Sequence, residues 1–354
     1  MIDLQQRIKA FVKLGKFINN YCEYTKEQTV NQTDKSNDFY LFEEKIKFSE
    51  IKNNWFTKKN VLFSLNNWAA LLSEEQLNKW LSNYMIPKKS TYKTIALIMA
   101  GNIPLVGFHD FLVTIITGNK ALVKLSSNDV VLLPLIAAKL AEVEPLLKDS
   151  FQFIDGKLEG FDAVIATGSD NTSRYFEYYF GKKPNVIRKN RNSVAVLTGN
   201  ETTKQLSALG EDVFRYYGLG CRSVSKVFVP KGYKFDDFFT AIYDRSPIIN
   251  QFKYANNYDY NKAVYLMSEF KLLDNGFLIL KEDKSYSSPI ASLFYECYDS
   301  LEELHKILDT DKEKLQCIVG NGIVSNEIAF GETQNPSLAD YADGVDTIDF
   351  LLTL

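Results

Sequence analysis

The sequence predicts an α/β protein with two parallel-sheet domains, preceded by a mainly helical N-terminal region. Short apolar runs such as IALIMA (95–100) and ALVKL (121–125) have the composition of strands that are buried on both faces. Stretches with helical periodicity separate these runs, and strands that alternate with helices at this spacing form parallel β-α-β units. The 354 residues, 45% of them hydrophobic, are enough for two cores.

Changes in pattern along the chain predict four segments. Residues 1–90 are mainly helical, because apolar side chains near the N-terminus recur at helical spacing. Residues 91–198 form the first α/β domain, and residues 199–325 form the second, which carries a Gly-rich loop with a cysteine. Residues 326–354 form a tail that returns to the first domain, where IDFLL (348–352) suggests a closing strand.

The elements of each domain follow from apolar runs, helical periodicity and turn residues. The turns that follow strands matter most, because parallel sheets bind ligands at the carboxyl ends of their strands. The first domain reads as strand IALIMA, turn GNIP, helix 105–118, strand ALVKL, helix 130–149, strands SFQFID and FDAVIAT, helix 171–181, and strands NVIRKN and SVAVLTG. The second domain reads as helix 202–218, loop GLGCRS, strand VSKVFVP, helix 235–245, strand 288–298 and helix 300–309.

Composition excludes several classes of protein. A net charge of -3 and a pI near 5.7 provide no electrostatic attraction for nucleic acid or an anionic membrane. With two histidines and four widely spaced cysteines, we expect no metal site and a reducing compartment. The N-terminus does not resemble a signal peptide, and the apolar runs are too short to span a bilayer. We therefore expect a cytoplasmic protein without a membrane span.

Cys221 is the residue with the most informative local context. It lies in the Gly-rich turn GLGCRS (218–223), where glycines let the backbone approach a substrate closely. The neighbouring Arg222 would favour the thiolate, which is the reactive form. The local sequence leaves two interpretations open: a reactive thiol, or a buried cysteine that only packs.

Four blocks in a consistent order resemble the aldehyde dehydrogenase superfamily over roughly residues 90–310, and within it the LuxC-type fatty acyl-CoA reductase family. The C-terminal DYADGVDTIDFL is similar to the ending of that branch. The resemblance implies an aldehyde dehydrogenase-like fold, in which residues 91–198 bind a dinucleotide and residues 199–325 carry the catalytic cysteine. The blocks are IALIMAGNIPLVGFHDFLVTIITGNKALVKLSS, ATGSDNTSRYF, GLGCRSVSKVFVP and SPIASLFYECYDSLEEL.

The resemblance also implies roles for individual residues. Cys221 matches the nucleophile, and Asn102 matches the asparagine whose side-chain amide, with the Cys221 N–H, stabilises the oxyanion. Alone, Asn102 could equally be an ordinary turn residue. His109 lies seven residues after Asn102 on the same helical face, where it would protonate a leaving thiolate or orient the substrate. The alternative is a histidine packed under the sheet.

The same comparison implies a nicotinamide cofactor. Lys124 matches the lysine that reaches the adenosine ribose, and Ser126 is expected to contact the cofactor beside it; for Lys124 and Ser127 the alternative is a solvated strand end. Ser127 stands where NAD-selective relatives often have a glutamate, which favours NADPH and leaves NADH as the alternative. The helix start at the pyrophosphate corresponds to Thr167, Gly168 and Ser169.

Two departures from the superfamily pattern bear on the reaction. Arg188 falls near the position of the glutamate that activates hydrolytic water, which argues for acyl reduction over aldehyde oxidation. The sequence YSSP (286–289) lacks the carboxylate that usually holds the nicotinamide ribose.

We therefore predict NADPH-dependent reduction of an activated acyl group, a long-chain acyl-CoA or acyl-carrier substrate, to an aldehyde through a Cys221 thioester. The resemblance also implies a homo-oligomer and allows an acyl-donating partner enzyme. Three alternatives stay open: a reductase of acyl phosphates or semialdehyde precursors, an acyl transferase without a redox step, and a non-catalytic acyl-binding protein.

Overall fold

The computed structural model describes residues 2–27, 37–87 and 92–354, and the chain divides into two compact units. The first unit contains Met1–Lys189 and Ser337–Leu354, and the second contains Asn190–Pro336. Each unit is built on its own parallel or mostly parallel sheet. The predicted α/β class with a helical N-terminal region is confirmed.

Four helices open the first unit. Asp3 begins the first of them with a capping box, because its carboxylate accepts from Gln6 N at 2.8 Å while Gln6 Oε1 accepts from Asp3 N at 3.0 Å. Among the described residues, no helix combines the length and hydropathy that a bilayer span requires. The helices are α1 (Leu4–Glu27), α2 (Asn37–Lys52), α3 (Lys58–Leu71) and α4 (Glu74–Leu81).

A five-stranded parallel sheet follows, in the order β3-β2-β1-β4-β5. The three middle residues of β1, β2 and β4 are apolar and buried, as expected for strands that are covered on both faces, whereas the polar residues Lys120, Lys124 and Thr167 lie at strand ends. The strand order reverses at β1, so the crevice for a ligand is expected outside the carboxyl ends of β1 and β4. The elements are β1 (Thr94–Ile98), α5 (Phe108–Ile116), β2 (Lys120–Lys124), α6 (Leu132–Val143), β3 (Phe151–Phe153), β4 (Ala163–Thr167), α7 (Asp170–Phe180) and β5 (Asn185–Arg188).

The second unit contains a six-stranded sheet in the order β11-β6-β7-β10-β9-β8, in which only the β8–β9 pair is antiparallel. Sequence analysis did not assign elements between residues 246 and 287, where α10, β8 and β9 lie, and it did not predict β11. The elements are β6 (Asn192–Val196), α8 (Thr203–Phe214), β7 (Val224–Pro230), α9 (Asp236–Ala241), α10 (Phe252–Met267), β8 (Leu272–Asp274), β9 (Ile279–Glu282), β10 (Ser292–Tyr298), α11 (Leu301–Thr310) and β11 (Leu315–Val319).

The boundary between the units differs from the predicted one after residue 198. The strand β6 hydrogen-bonds to β7 and β11, so it is part of the second sheet, and the second unit begins at Asn190. The second unit also extends to Pro336 instead of ending at residue 325. The boundary depends on which sheet β6 joins, and the sequence of a strand does not show with which strands it pairs.

Residues 337–354 lie in the first unit and end in the helix α12 (Thr347–Leu352). The closing strand suggested for IDFLL is therefore wrong. The Asp346 carboxylate accepts from Ile348 N at 2.9 Å and from Asp349 N at 3.0 Å, and this cap starts a helix. Ile348 and Leu351, three residues apart, are both buried in the core of the first unit.

Candidate active site

Several of the predicted site residues lie at one edge of the first sheet. Lys124 ends β2, Thr167 ends β4 and Arg188 ends β5, so their side chains all lie at the carboxyl ends of parallel strands. Asn102 follows β1 in the turn that leads to α5. The sheet therefore gathers the residues predicted to bind the cofactor, together with Asn102, at the edge where α/β proteins bind ligands.

The turn that contains Asn102 is held from two sides. A Cβ atom on Gly101 would lie 2.7 Å from Cβ of Ser126, so only glycine fits where this turn meets the end of β2. On the other side, Ser64 Oγ donates to Pro104 O at 3.1 Å. Asn102 itself is exposed. The turn thus presents an amide side chain on a fixed backbone.

The end of β2 carries one ammonium group and two hydroxyl groups. Lys124 Nζ donates to Gly156 O at 3.1 Å, and Ser126 Oγ accepts from Asn128 N at 3.3 Å. Ser127 is exposed and adds no charge to this strand end. Hydroxyl and ammonium donors of this kind suit the hydroxyl or phosphate groups of a ribose.

The helix α7 begins directly after β4, and its N-terminus suits an anion. Ser169 caps it by accepting from Thr172 N at 3.3 Å. A Cβ atom on Gly168 would lie 2.9 Å from Phe176 Cε2, so any larger residue would have to displace that ring where the chain enters the helix. The helix dipole at this end favours an anion such as a pyrophosphate. The residues predicted to bind a dinucleotide therefore have suitable chemistry: Lys124, Ser126, Ser127, Thr167, Gly168 and Ser169.

Arg188 forms a buried ion pair instead of lying free in the site. Its Nη1 and Nη2 donate to the two carboxylate oxygens of Asp110 at 2.6 and 2.8 Å, and the two side chains are 6% and 8% exposed. Nη1 also donates to Thr167 Oγ1 at 3.4 Å. Arg188 therefore joins α5, β4 and β5. Asp110 could not be recognised from the sequence, because no local pattern links residues 78 positions apart.

His109 packs against aromatic rings in the first unit. Its Nε2 lies 2.9 Å from Leu338 O, and its ring centroid lies 5.7 Å from that of Trp80 and 5.4 Å from that of Tyr341. Burial lowers the pKa of His109, so the imidazole is neutral at neutral pH. These contacts favour the packing interpretation, and the catalytic role of His109 stays a prediction.

In the second unit, Cys221 is exposed in a loop whose backbone is held in place. Its carbonyl accepts from Ser193 Oγ of β6 at 2.9 Å. Before it, Tyr216 and Tyr217 have φ angles of 53° and 59°, and Gly218 has a φ of 75°. This left-handed run ends α8 at Phe214, four residues before the predicted helix end. Such strained conformations in non-glycine residues are concentrated at functional sites.

The other cysteines lack this context. Cys22 and Cys317 are buried. Cys297 is exposed, but partial desolvation of its thiol raises its pKa above the ordinary value. Arg222, predicted to favour the Cys221 thiolate, donates from Nε to Thr333 O at 2.6 Å. Within residues 2–27, 37–87 and 92–354, no three His, Cys, Asp or Glu side chains are grouped so that they could hold a metal ion.

A family model, acyl-CoA reductase (LuxC), matches residues 22–243, which is more than half of the chain. The chain belongs to the LuxC family of acyl-CoA reductases. It is therefore an NAD(P)-dependent oxidoreductase, as the resemblance implied. A search of curated proteins found no match to this LuxC-family chain.

Solved structures of aldehyde dehydrogenases share the fold of this LuxC-family protein. An indole-3-acetaldehyde dehydrogenase complexed with NAD+ has a TM-score of 0.64 at 12% identity, over 90% of this chain and 72% of that one. Betaine aldehyde dehydrogenase from Staphylococcus aureus, with NAD+, has a TM-score of 0.63 at 12% identity, over 96% and 73%. A Pseudomonas syringae aldehyde dehydrogenase mutant with NAD+ and octanal has a TM-score of 0.63 at 12% identity, over 91% and 73%. The predicted aldehyde dehydrogenase-like fold is confirmed.

Proposed function

We propose that this LuxC-family protein reduces a long-chain acyl-CoA to the aldehyde with NADPH, through a thioester on Cys221. The observation that carries the proposal is the exposed thiol in a Gly-rich loop, preceded by three left-handed residues and held by Ser193. An accessible thiol on a fixed backbone is what a covalent mechanism requires of its nucleophile.

The proposed chemistry has two stages. The Cys221 thiolate attacks the acyl carbonyl, and the tetrahedral adduct expels the CoA thiolate, which takes a proton from solvent. The resemblance assigns the side-chain amide of Asn102 as the donor to the oxyanion of that adduct, and Asn102 is an exposed residue. NADPH, when bound, supplies a hydride for the acyl carbon. The resulting thiohemiacetal releases the aldehyde and returns the sulfur electrons to Cys221.

The setting of Arg188 supports reduction over hydrolysis. A thioester awaiting hydride must not meet activated water, and a carboxylate base would activate it. Arg188 stands near the sequence position of that base, and its guanidinium cannot act as a base because it is already protonated and has no acceptor; in the structure it is paired with Asp110. The acyl-enzyme is therefore expected to survive until it is reduced.

The end of β2 supports NADPH over NADH. Ser127 is exposed and uncharged where a carboxylate would repel the 2′-phosphate, and the Lys124 ammonium lies three residues before it. We propose that these residues, with Ser126, contact the adenosine ribose, and that Thr167, Gly168 and Ser169 contact the pyrophosphate. NADH stays the alternative cofactor.

Replacing Ser127 with glutamate is expected to change the preferred cofactor. A carboxylate near the 2′-phosphate lowers kcat/KM with NADPH about tenfold or more relative to NADH, which corresponds to roughly 1.4 kcal/mol of repulsion. Initial rates with both cofactors measure the ratio. The control is Asn128→Glu, which places the same charge on the next exposed residue and should leave the ratio within about twofold. An unchanged ratio in Ser127→Glu would refute the assignment of Ser127.

Mass spectrometry of the protein tests the proposed function directly. After mixing with dodecanoyl-CoA, we expect one dodecanoyl group on the peptide that contains Cys221, and addition of NADPH should discharge it as dodecanal. Cys297→Ser, which removes the other exposed thiol, should behave like the wild type. A stable adduct that NADPH does not discharge indicates an acyl transferase. An adduct from dodecanoyl phosphate alone indicates an acyl-phosphate reductase, and no adduct on Cys221 refutes the mechanism.

A further inference from the structure

A buried carboxylate that the proposed reaction does not use lies behind the Cys221 loop. Asp212 of α8 is fully buried, and its two oxygens accept three hydrogen bonds from one distant segment. Oδ2 accepts from Gly331 N at 2.7 Å, and Oδ1 accepts from Thr333 N at 3.0 Å and from Thr333 Oγ1 at 2.8 Å. We call residues 331–334 the brace; they lie outside the matched residues 22–243.

The brace also contacts the two residues that follow Cys221. Thr333 O accepts from Arg222 Nε at 2.6 Å, and Gln334 Nε2 donates to Ser223 Oγ at 3.4 Å. Thr333, Gln334 and Ser223 are buried and Arg222 is half-buried, so water has little access to these bonds. A continuous set of hydrogen bonds therefore runs from Asp212 through Thr333 to the residue beside the thiol.

The hydrogen bonds between the brace and position 212 require a carboxylate at that position. All three of its groups are donors toward Asp212, and an ionised carboxylate offers only acceptors. Burial raises the pKa of Asp212 to about 6, so the group is still ionised at neutral pH. The brace also packs closely against α8. Gly331 has a φ of 87°, and a Cβ atom on it would lie 3.1 Å from Ala208 Cβ.

We propose that Asp212 is a positioning residue that fixes the brace and thereby aims Cys221 at the acyl carbonyl. The brace bonds the side chains of Arg222 and Ser223 while Ser193 bonds the Cys221 carbonyl, so the loop that carries the thiol is restrained by two sets of contacts. A displacement of about 1 Å at a reacting atom costs up to 10²-fold in rate. The inference rests on the proposed function, because it assumes that Cys221 is acylated.

The rate of acylation tests this role with Asp212→Asn. The amide keeps the shape of the carboxylate but turns an N–H donor toward a backbone N–H, which breaks at least one bond to the brace. With dodecanoyl-CoA and no cofactor, quenched-flow mass spectrometry should show adduct formation on Cys221 slowed about tenfold or more, with the final extent unchanged. A merely structural role would lower the extent, because less protein would be folded, and leave the rate unchanged. The control is Asp309→Asn, on an exposed carboxylate of α11.

If Asp212→Asn does not fold, two variants of Thr333 test the positioning role of Asp212 instead. Thr333→Val removes the hydroxyl donor to Asp212 and should slow acylation, whereas Thr333→Ser keeps that donor and should restore most of the rate. Equal acylation rates in the valine and serine variants, or a wild-type rate in Asp212→Asn, overturn the proposal. If the wild type itself forms no adduct, the proposed function fails instead.

Discussion

Replacing Cys221 with alanine is expected to lower kcat for aldehyde formation by about 10³-fold or more, since losing a covalent nucleophile removes the whole acyl-enzyme route. NADPH binding should be retained, because the proposed cofactor residues belong to the first unit and Cys221 to the second. The loop should also be retained, because Ser193 donates to the main-chain carbonyl of residue 221, which the substitution leaves in place. NADPH oxidation with dodecanoyl-CoA measures the rate, and fluorescence titration measures cofactor binding.

The matched control for that variant is Cys297→Ala. Cys297 is the other exposed cysteine and lies on β10 of the same unit, so a nonspecific effect of thiol removal would appear in both variants. We expect its kcat to stay within about twofold of the wild type. Substantial turnover in Cys221→Ala, or a comparable loss in Cys297→Ala, contradicts the assignment of Cys221 as nucleophile.

Replacing Arg188 with methionine is expected to destabilise the first unit by about 3–5 kcal/mol, because it leaves the Asp110 charge buried without its partner. Urea denaturation followed by tryptophan fluorescence measures this unit alone. The three tryptophans, at positions 55, 68 and 80, all lie in the first unit. The midpoint should fall, and the slope of the transition should not change.

Two further variants separate the buried ion pair from a general charge effect. Lys189→Met removes the adjacent cation, whose pair with Glu177 is exposed, and should change stability by less than about 1 kcal/mol. In the double variant Asp110→Leu/Arg188→Met, no charge is left unpaired, so most of the stability should return. If Arg188→Met is as stable as Lys189→Met, the pair does not hold α5 to the sheet.

Much of the fold can be predicted from the sequence, because buried parallel strands leave a local signal. IALIMA, ALVKL and FDAVIAT each overlap an observed strand, since the middle residues of a strand that is covered on both faces are apolar. The turns after two of these strands can also be recognised in the sequence, because each contains a glycine. Gly101 and Gly168 stand where a Cβ atom would collide with neighbouring atoms, so glycine marks the close approach.

Contacts between distant residues could not be predicted in the same way. Asp212 and Thr333 are 121 positions apart, and nothing near either residue indicates that they are bonded. The short apolar run IDFLL fits a strand or a helix equally well, and the Asp346 cap with burial of Ile348 and Leu351 decides for the helix. The sequence indicates only that Arg188 replaces a base, whereas the contact with Asp110 gives Arg188 a structural role.

The connectivity of the two units has a consequence for how the chain folds as it is synthesised. The second unit is continuous, from Asn190 to Pro336, whereas the first unit needs residues 337–354, which leave the ribosome after all of it. The contacts they supply include Tyr341 Oη accepting from Trp80 Nε1 at 2.9 Å and Asp346 Oδ2 accepting from Tyr84 Oη at 2.6 Å. The first unit thus begins to be synthesised before the second but can complete its fold only after the second has been synthesised. Until then, the surface of the first unit that residues 337–354 cover is exposed, as in other partly folded chains that chaperones bind.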